Sequence, residues 1–194
     1  MDVASYRQFF FGGAVAFSVV SLISCTQPVQ VNTKGMLEYI EDSGQKIIPF
    51  NEEFFKNSPV QCLKPRMGYM GGIECNGLVT YSRTSDDKGI AKVTARGPAR
   101  TLDFQLVYSI VDGGTCYLDQ PIKLVAVPTH NAIPDLEQQT RSTMFPDGKG
   151  YCSYIIGDGN QFYTWSFNFD GTPRDTSKLS PVAKAPAQVY FYTE

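Results

Sequence analysis

Residues 101–111 alternate between apolar and polar side chains along most of their length. Every second residue from Leu102 to Ile110 is a leucine, phenylalanine, tyrosine or isoleucine. Because successive side chains of a β-strand point to opposite faces, this pattern predicts a strand with one buried face. A single strand is not stable in water, so the chain must supply further strands that pair with it.

Six further runs are short and rich in β-branched or aromatic residues, as strands are: GLVTYS, GIAKVTA, IKLVAV, CSYIIG, QFYTWSFNF and QVYFYT. Turn signals such as DDKG, DGG, DGKG, GDGN and DG separate several of them. We therefore expect a mainly β fold. It should be an antiparallel β-sandwich or small barrel of about seven to nine short strands, with one to three short helices.

Three stretches carry weaker helix signals. Residues 134–145 begin with Pro-Asp, which suits the first turn of a helix. Residues 51–57 offer an asparagine cap followed by two acids, and residues 36–42 are a third short candidate. Residues 171–187 are rich in Pro, Ala, Ser and Lys, which indicates an extended segment before the last strand.

A run of apolar and small residues over 9–24 ends at Cys25, the first of five cysteines. As a helix this run would be roughly 24 Å long. That length is short for a bilayer core of about 30 Å, and it suits the hydrophobic region of a signal peptide.

The sequence LISC at residues 22–25 resembles the lipobox of bacterial lipoprotein precursors. The resemblance implies that residues 1–24 are a signal peptide, that the Cys25 thiol is diacylated, and that residues 25–33 form a lipidated tether. Thr26 follows the cysteine where aspartate would favour the inner membrane, which implies an outer-membrane anchor with the domain facing the periplasm. The alternatives are an ordinary secretory signal or an uncleaved anchor, with Cys25 incidental.

Four cysteines remain, and an even number in an exported chain predicts two disulfides. Three pairings are possible. The sequential one, Cys62 with Cys75 and Cys116 with Cys152, closes the shortest loops and is favoured. A zinc site is not expected, because the chain has no C-x-x-C spacing and a single histidine, His130.

Composition and motifs favour a non-enzymatic protein. A net charge of −2, with Lys and Arg scattered singly, gives no reason to expect nucleic acid. The chain lacks the G-x-S-x-G, H-E-x-x-H and phosphate-loop motifs, so we predict no catalytic residue, no cofactor and no metal. Residues 34–194 are long enough for one domain.

The expected role is a structural or adaptor subunit of a bacterial envelope assembly, such as a secretion apparatus. Its partners would be membrane lipid, through acylated Cys25, and other envelope proteins. The alternative is a periplasmic binding or inhibitory lipoprotein that recognises a hydrolase, a glycan or a phage component.

Two segments are candidates for partner recognition. Residues 61–75 would form a Gly-rich loop closed by a disulfide, and its Met, Tyr and Arg are residue types enriched at interfaces. The last run, residues 188–194, either completes the chain's own sheet or adds to an edge strand of a neighbouring subunit. An aromatic stripe within residues 161–169 is expected to be core rather than a sugar-binding platform. The candidate partner-binding residues are Lys64, Arg66, Met67, Tyr69, Met70, Tyr190 and Tyr192.

Overall fold

The computed structural model of the protein describes residues 30–51, 53–54, 60–69, 71–96, 101–126, 136–157, 161–174, 180–184 and 190–192. Its helices are α1 (Thr33–Asp42) and α2 (Leu136–Met144). Its strands are β1 (Ile47–Ile48), β2 (Val60–Leu63), β3 (Arg66–Met67), β4 (Ile73–Cys75), β5 (Gly77–Arg83), β6 (Lys88–Arg96), β7 (Thr101–Val111), β8 (Gly114–Leu118), β9 (Lys123–Ala126), β10 (Gly150–Gly157), β11 (Phe162–Asn168), β12 (Ser180–Lys184) and β13 (Tyr190–Phe191).

Eight of these strands form a closed antiparallel barrel. Its members are β2, β5, β6, β7, β8, β10, β11 and β12. Each pairs with the next in chain order, and β12 returns to pair with β2. The predicted mainly β fold is confirmed, and the closure decides for the barrel over the sandwich. Closure gives every barrel strand a neighbour on both sides, so the barrel has no edge strand to protect. Two short strands add to it, β1 beside β10 and β9 beside β7.

Aromatic side chains fill the barrel interior. The apolar face of β7 points inward as its alternation predicted, and Leu106 and Tyr108 are almost fully buried. At one end the Phe50 ring centroid lies 4.7 Å from that of Tyr81. At the other end the ring of Phe145 lies 5.8 Å from that of Tyr151. Large side chains thus occupy the barrel from end to end, and the interior is a packed core.

A second apolar cluster lies outside the barrel wall, under α1. The helix packs Met36 and Ile40 against the outer faces of β10 and β11, where Phe167 is fully buried. The Tyr39 ring covers Trp165 at 5.2 Å between ring centroids. The aromatic stripe of residues 161–169 is therefore core, although it lies outside the barrel rather than within it.

The helix predictions are largely confirmed. The region predicted at residues 36–42 is helical, but α1 begins at Thr33, because the Asn32 side chain accepts a hydrogen bond from the Gly35 N–H and caps it. Residues 136–144 are helical, and Asn51 caps a helical turn at residues 53–54. Within the described residues, no helix has both the length and the apolar composition needed to cross a bilayer.

Both disulfides follow the favoured pairing. Cys116 and Cys152 are opposite each other in register on β8 and β10, so this disulfide cross-links two neighbouring barrel strands. Cys62 on β2 is bonded to Cys75 on β4, which lies outside the barrel. All four cysteines are buried.

The structure adds detail to two sequence predictions. Residues 171–187 were expected to be an extended segment, and within it residues 180–184 form β12, the strand that closes the barrel, which the sequence did not mark as a strand. Pro181 has no N–H, yet its carbonyl accepts a hydrogen bond from the Lys64 N–H at 2.9 Å, so a proline is tolerated there. The tether predicted over residues 25–33 is shorter at its C-terminal end, because Val31 packs against the cluster under α1 and Asn32 caps the helix.

Candidate partner-binding surface

The two segments singled out for partner recognition meet in one small sheet, here called the terminal sheet. It consists of β3, β4 and β13, together with Tyr192 and the described residues of the turn between β3 and β4 (68–69 and 71–72). β3 and β4 are antiparallel, with Arg66 opposite Glu74. β13 lies parallel to β4 on its other side, with Tyr190 beside Glu74. The last strand therefore pairs within its own chain, in a sheet separate from the barrel.

The backbone conformation at two residues directs the chain between β2 and β5 out of the barrel and into this sheet. Lys64 has a φ of +46°, a left-handed conformation that bends the chain away from β2. Gly71 has a φ of +80°, which glycine adopts without steric cost. In the same turn, the Gly68 N–H donates to the Gly72 carbonyl at 2.7 Å. The Cys62–Cys75 disulfide then fixes the base of the hairpin against β2.

Tyr192 ties the C-terminal segment to the hairpin. Its hydroxyl donates to the Lys64 carbonyl at 2.7 Å, and its backbone N–H donates to the Cys75 carbonyl at 3.1 Å. The Arg66 guanidinium lies over its ring, 3.6 Å from the centroid, in a cation–π contact. Arg66 also pairs with Glu74, with 2.9 Å between Nε and Oε2. Tyr192 and Arg66 thus have structural partners inside the sheet.

Several apolar side chains of the terminal sheet are exposed to solvent. Tyr69 at the tip is fully exposed, Met67 is 73 % exposed and Tyr190 is 50 % exposed. Ile73, opposite Met67 in register, adds a fourth apolar side chain at 36 %. Met67 and Ile73 are cross-strand neighbours on one face of the sheet, whereas Tyr190, which is paired with Glu74, lies on the opposite face. Exposed apolar side chains that lie side by side, as Met67 and Ile73 do, are typical of interaction sites.

Sequence reasoning missed Ile73 and Glu74 as members of this surface. Both lie inside the loop closed by Cys62 and Cys75, so the disulfide spacing contained the signal for them. Of the predicted residues, Lys64 contributes through its carbonyl and its backbone bend, and Met70 lies outside the described residues. Cys25 and His130 also lie outside the described part of the chain.

The barrel core offers a different chemistry. Burial raises the pKa of Tyr108 to about 12, and it raises the pKa of Tyr81 and Tyr117 as well. These hydroxyls stay protonated at neutral pH and are poorly suited to act as general bases.

At the barrel end near α2, a hydrogen bond from Arg141 lowers the pKa of Asp119, and this pair fastens the helix to the barrel.

The described residues contain no group of three or more His, Cys, Asp or Glu side chains placed to hold a metal ion. No family model, curated protein or solved structure matches this chain.

Proposed function

We propose that this protein is a non-enzymatic lipoprotein of the bacterial outer membrane that serves as a structural or adaptor subunit of an envelope assembly, such as a secretion apparatus. In this proposal Cys25 carries the lipid, and the barrel is a rigid body that holds the terminal sheet towards a protein partner. The observation that carries the proposal is the exposure of Met67 and Ile73, side by side on one face of a disulfide-braced sheet, and of Tyr69 at its tip.

The terminal sheet is ordered before a partner binds. Ordering a loop on binding costs free energy, roughly 0.5–1.5 kcal/mol for each immobilised long side chain, in addition to the backbone. The disulfide, the Tyr192 hydrogen bonds and the Arg66 contact order the terminal sheet in advance. Met and Tyr are enriched at interfaces, and both residue types are exposed here, at Met67, Tyr69 and Tyr190.

Photocrosslinking in cells tests the proposed contact surface. A photoreactive phenylalanine analogue at Tyr69 should capture a specific protein in cells that produce the full chain. The matched control is the same analogue at Val107, an exposed apolar residue (56 %) on the barrel wall, which should capture nothing specific. Equal capture at both positions, or none at Tyr69, would remove the terminal sheet as the contact surface.

The lipid anchor has its own test. Palmitate should label the wild-type protein and should not label Cys25→Ser. Unchanged labelling of Cys25→Ser would show that the lipobox interpretation is wrong.

A second candidate function, a periplasmic inhibitory or binding lipoprotein, is favoured by one feature. Tyr69 is fully exposed at the tip of a braced hairpin, as expected of a loop that inserts into a cleft on a hydrolase. Under this alternative, the protein captured at Tyr69 would be a soluble hydrolase, and adding the purified protein would inhibit it. Tyr69→Ala would abolish inhibition, whereas Val107→Ala would not.

A further inference from the structure

The terminal sheet has an open edge along β3. The order of its strands is β13–β4–β3, so β3 has a neighbour on one side only among the described strands. An open edge can accept a further strand only where backbone N–H and carbonyl groups point outwards from it.

Hydrogen bonds alternate along the β3–β4 pair. The Gly68 N–H donates to the Gly72 carbonyl at 2.7 Å, so Gly68 directs its backbone groups towards β4. In an antiparallel pair, such residues alternate with residues whose N–H and carbonyl point away from the neighbouring strand. Arg66 is two residues before Gly68 and also points towards β4, whereas Met67 lies between them and points away.

Met67 therefore turns its N–H and its carbonyl to the open edge. Neither group has a hydrogen-bond partner within the part of the chain that the structure describes. The Met67 side chain is exposed as well, so the edge is accessible from solvent.

The side chains next to this edge are apolar on one face. Met67 and Ile73 lie side by side there, and a residue added opposite Met67 would lie on the same face. Arg66 and Glu74 are on the other face and already neutralise each other, with 2.9 Å between Nε and Oε2. The edge thus offers main-chain hydrogen bonds and apolar contact, without an unpaired charge on these two strands.

We infer that the partner of the terminal sheet adds an extended segment to the β3 edge as a fourth strand. The segment exchanges main-chain hydrogen bonds with Met67 and places a β-branched or aromatic side chain beside Met67 and Ile73. In strand addition, main-chain bonds supply affinity and alternate side chains supply specificity. This inference deepens the proposed adaptor function and depends on it.

The short length of β3 favours a specific partner over uncontrolled association. The strand has two residues, and Pro65 before it has no N–H, so the edge offers few main-chain bonds. Short edge strands and proline both limit edge-to-edge aggregation. Stable occupation of this edge therefore needs the apolar contacts too, which a segment of complementary sequence supplies.

Met67→Pro tests the main-chain bond directly. Proline removes the outward N–H and leaves the bonds of Arg66 and Gly68 to β4 in place, and proline is tolerated where the N–H of an edge strand faces solvent. In the full chain with the photoreactive residue at position 69, capture should fall about tenfold, because the added strand loses a hydrogen bond and meets the proline ring.

Two matched variants separate the main chain from the side chain. Met67→Leu keeps the N–H and an apolar side chain of similar size, so capture should stay within about twofold of wild type. Met67→Ala keeps the N–H and removes most of the side chain, so it should weaken capture less than Met67→Pro does.

Hydrogen exchange in the purified full-length protein checks the geometry. The Met67 N–H should exchange about tenfold faster than the Arg66 N–H, which bonds to Glu74. Met67→Pro should keep the protection of the Glu74 N–H. Equal protection of Met67 and Arg66, or loss of protection at Glu74 in Met67→Pro, would show that the Met67 N–H belongs to the sheet and would overturn the inference.

The capture results distinguish the remaining outcomes. Equal capture by Met67→Pro and Met67→Ala would overturn strand addition and leave an adaptor whose partner docks on side chains. Capture of a second copy of this chain would overturn the assignment of the edge to a different protein. Absence of any capture at position 69 in the otherwise wild-type chain would overturn the proposed contact surface itself.

Discussion

The barrel is built from antiparallel strands, and the terminal sheet joins one antiparallel hairpin to a parallel strand, but the larger difference lies in the forces that hold them. Barrel strands reach eleven residues, have neighbours on both sides and enclose an aromatic core. The strands of the terminal sheet contain two or three residues and leave Met67 and Tyr69 in solvent. In place of an apolar core, the terminal sheet is held together by a disulfide, by the hydrogen bond of the Tyr192 hydroxyl and by a cation–π contact.

This difference separates stability from recognition. Burial of apolar area drives folding of the barrel, so its core side chains are unavailable to a partner. Covalent and polar contacts order the terminal sheet without burying its apolar side chains. The sheet can therefore present those side chains to another surface and can change locally while the barrel stays folded.

The largest expected effect comes from a cavity in the barrel. Phe104→Ala removes a side chain that is 4 % exposed, so we expect the free energy of unfolding to fall by about 3–5 kcal/mol. Met67→Ala in the terminal sheet should change it by less than about 0.5 kcal/mol. Urea denaturation measures the free energy of unfolding of both variants. Similar losses for the two variants would show that the terminal sheet belongs to the cooperative core.

The two disulfides should differ in a related way. Replacing Cys116 and Cys152 with alanine opens a loop of 36 residues and should destabilise the barrel by about 3–4 kcal/mol. Replacing Cys62 and Cys75 should lower the free energy of unfolding by less. Without this disulfide the hairpin gains conformational freedom in the folded state, and this gain offsets part of the entropy that the unfolded chain gains. Thermal unfolding of the two double variants makes the comparison. A larger loss for the Cys62/Cys75 variant would contradict it.

Alkaline pH probes the barrel alone. Burial raises the pKa of Tyr108 and of Tyr154 to about 12 in the folded protein, above the ordinary value of about 10. The unfolded chain therefore loses these protons first, so stability is full below pH 10 and falls as the pH rises from 10 to 12. The slope is up to about 1.4 kcal/mol per pH unit for each tyrosine. Denaturation across this range should show a flatter loss for Tyr108→Phe, and Met67→Ala should keep the wild-type slope. An unchanged slope for Tyr108→Phe would remove Tyr108 as a source of the effect.

Deleting residues 188–194 is expected to have only a small effect on global stability. β13 pairs only with β4 among the described strands, so the barrel should remain folded, with a change below about 1 kcal/mol. Hydrogen exchange at residues 66–67 and 73–75 should increase, since Tyr192 no longer contacts Lys64 and Arg66. Loss of the whole fold would show that the last strand stabilises the barrel. Unchanged exchange would show that β13 does not order the hairpin.

Much of the fold could be predicted because it depends on local pattern. The alternation in residues 101–111 fixed which face of β7 is buried, and Asp112-Gly113 between β7 and β8 has the two positive φ values of a tight hairpin turn. Such signals depend on neighbours in the chain, so they are present in the sequence. The favoured cysteine pairing is also confirmed, and each disulfide closes one of the shortest available loops.

The sequence by itself determined that the chain makes short, amphipathic strands, and it marked residues 61–75 and 188–194 as separate candidates for recognition. Tertiary structure alone decided that these segments join. The period of two along a strand says which side chains share a face but not which strand lies alongside, and Glu74 and Tyr190 are far apart in the chain. For the same reason, β12 could not be predicted from the sequence. Residues 180–184 become a strand only through pairing with β11 and β2. This pairing overrides the weak strand preference of a proline-containing segment.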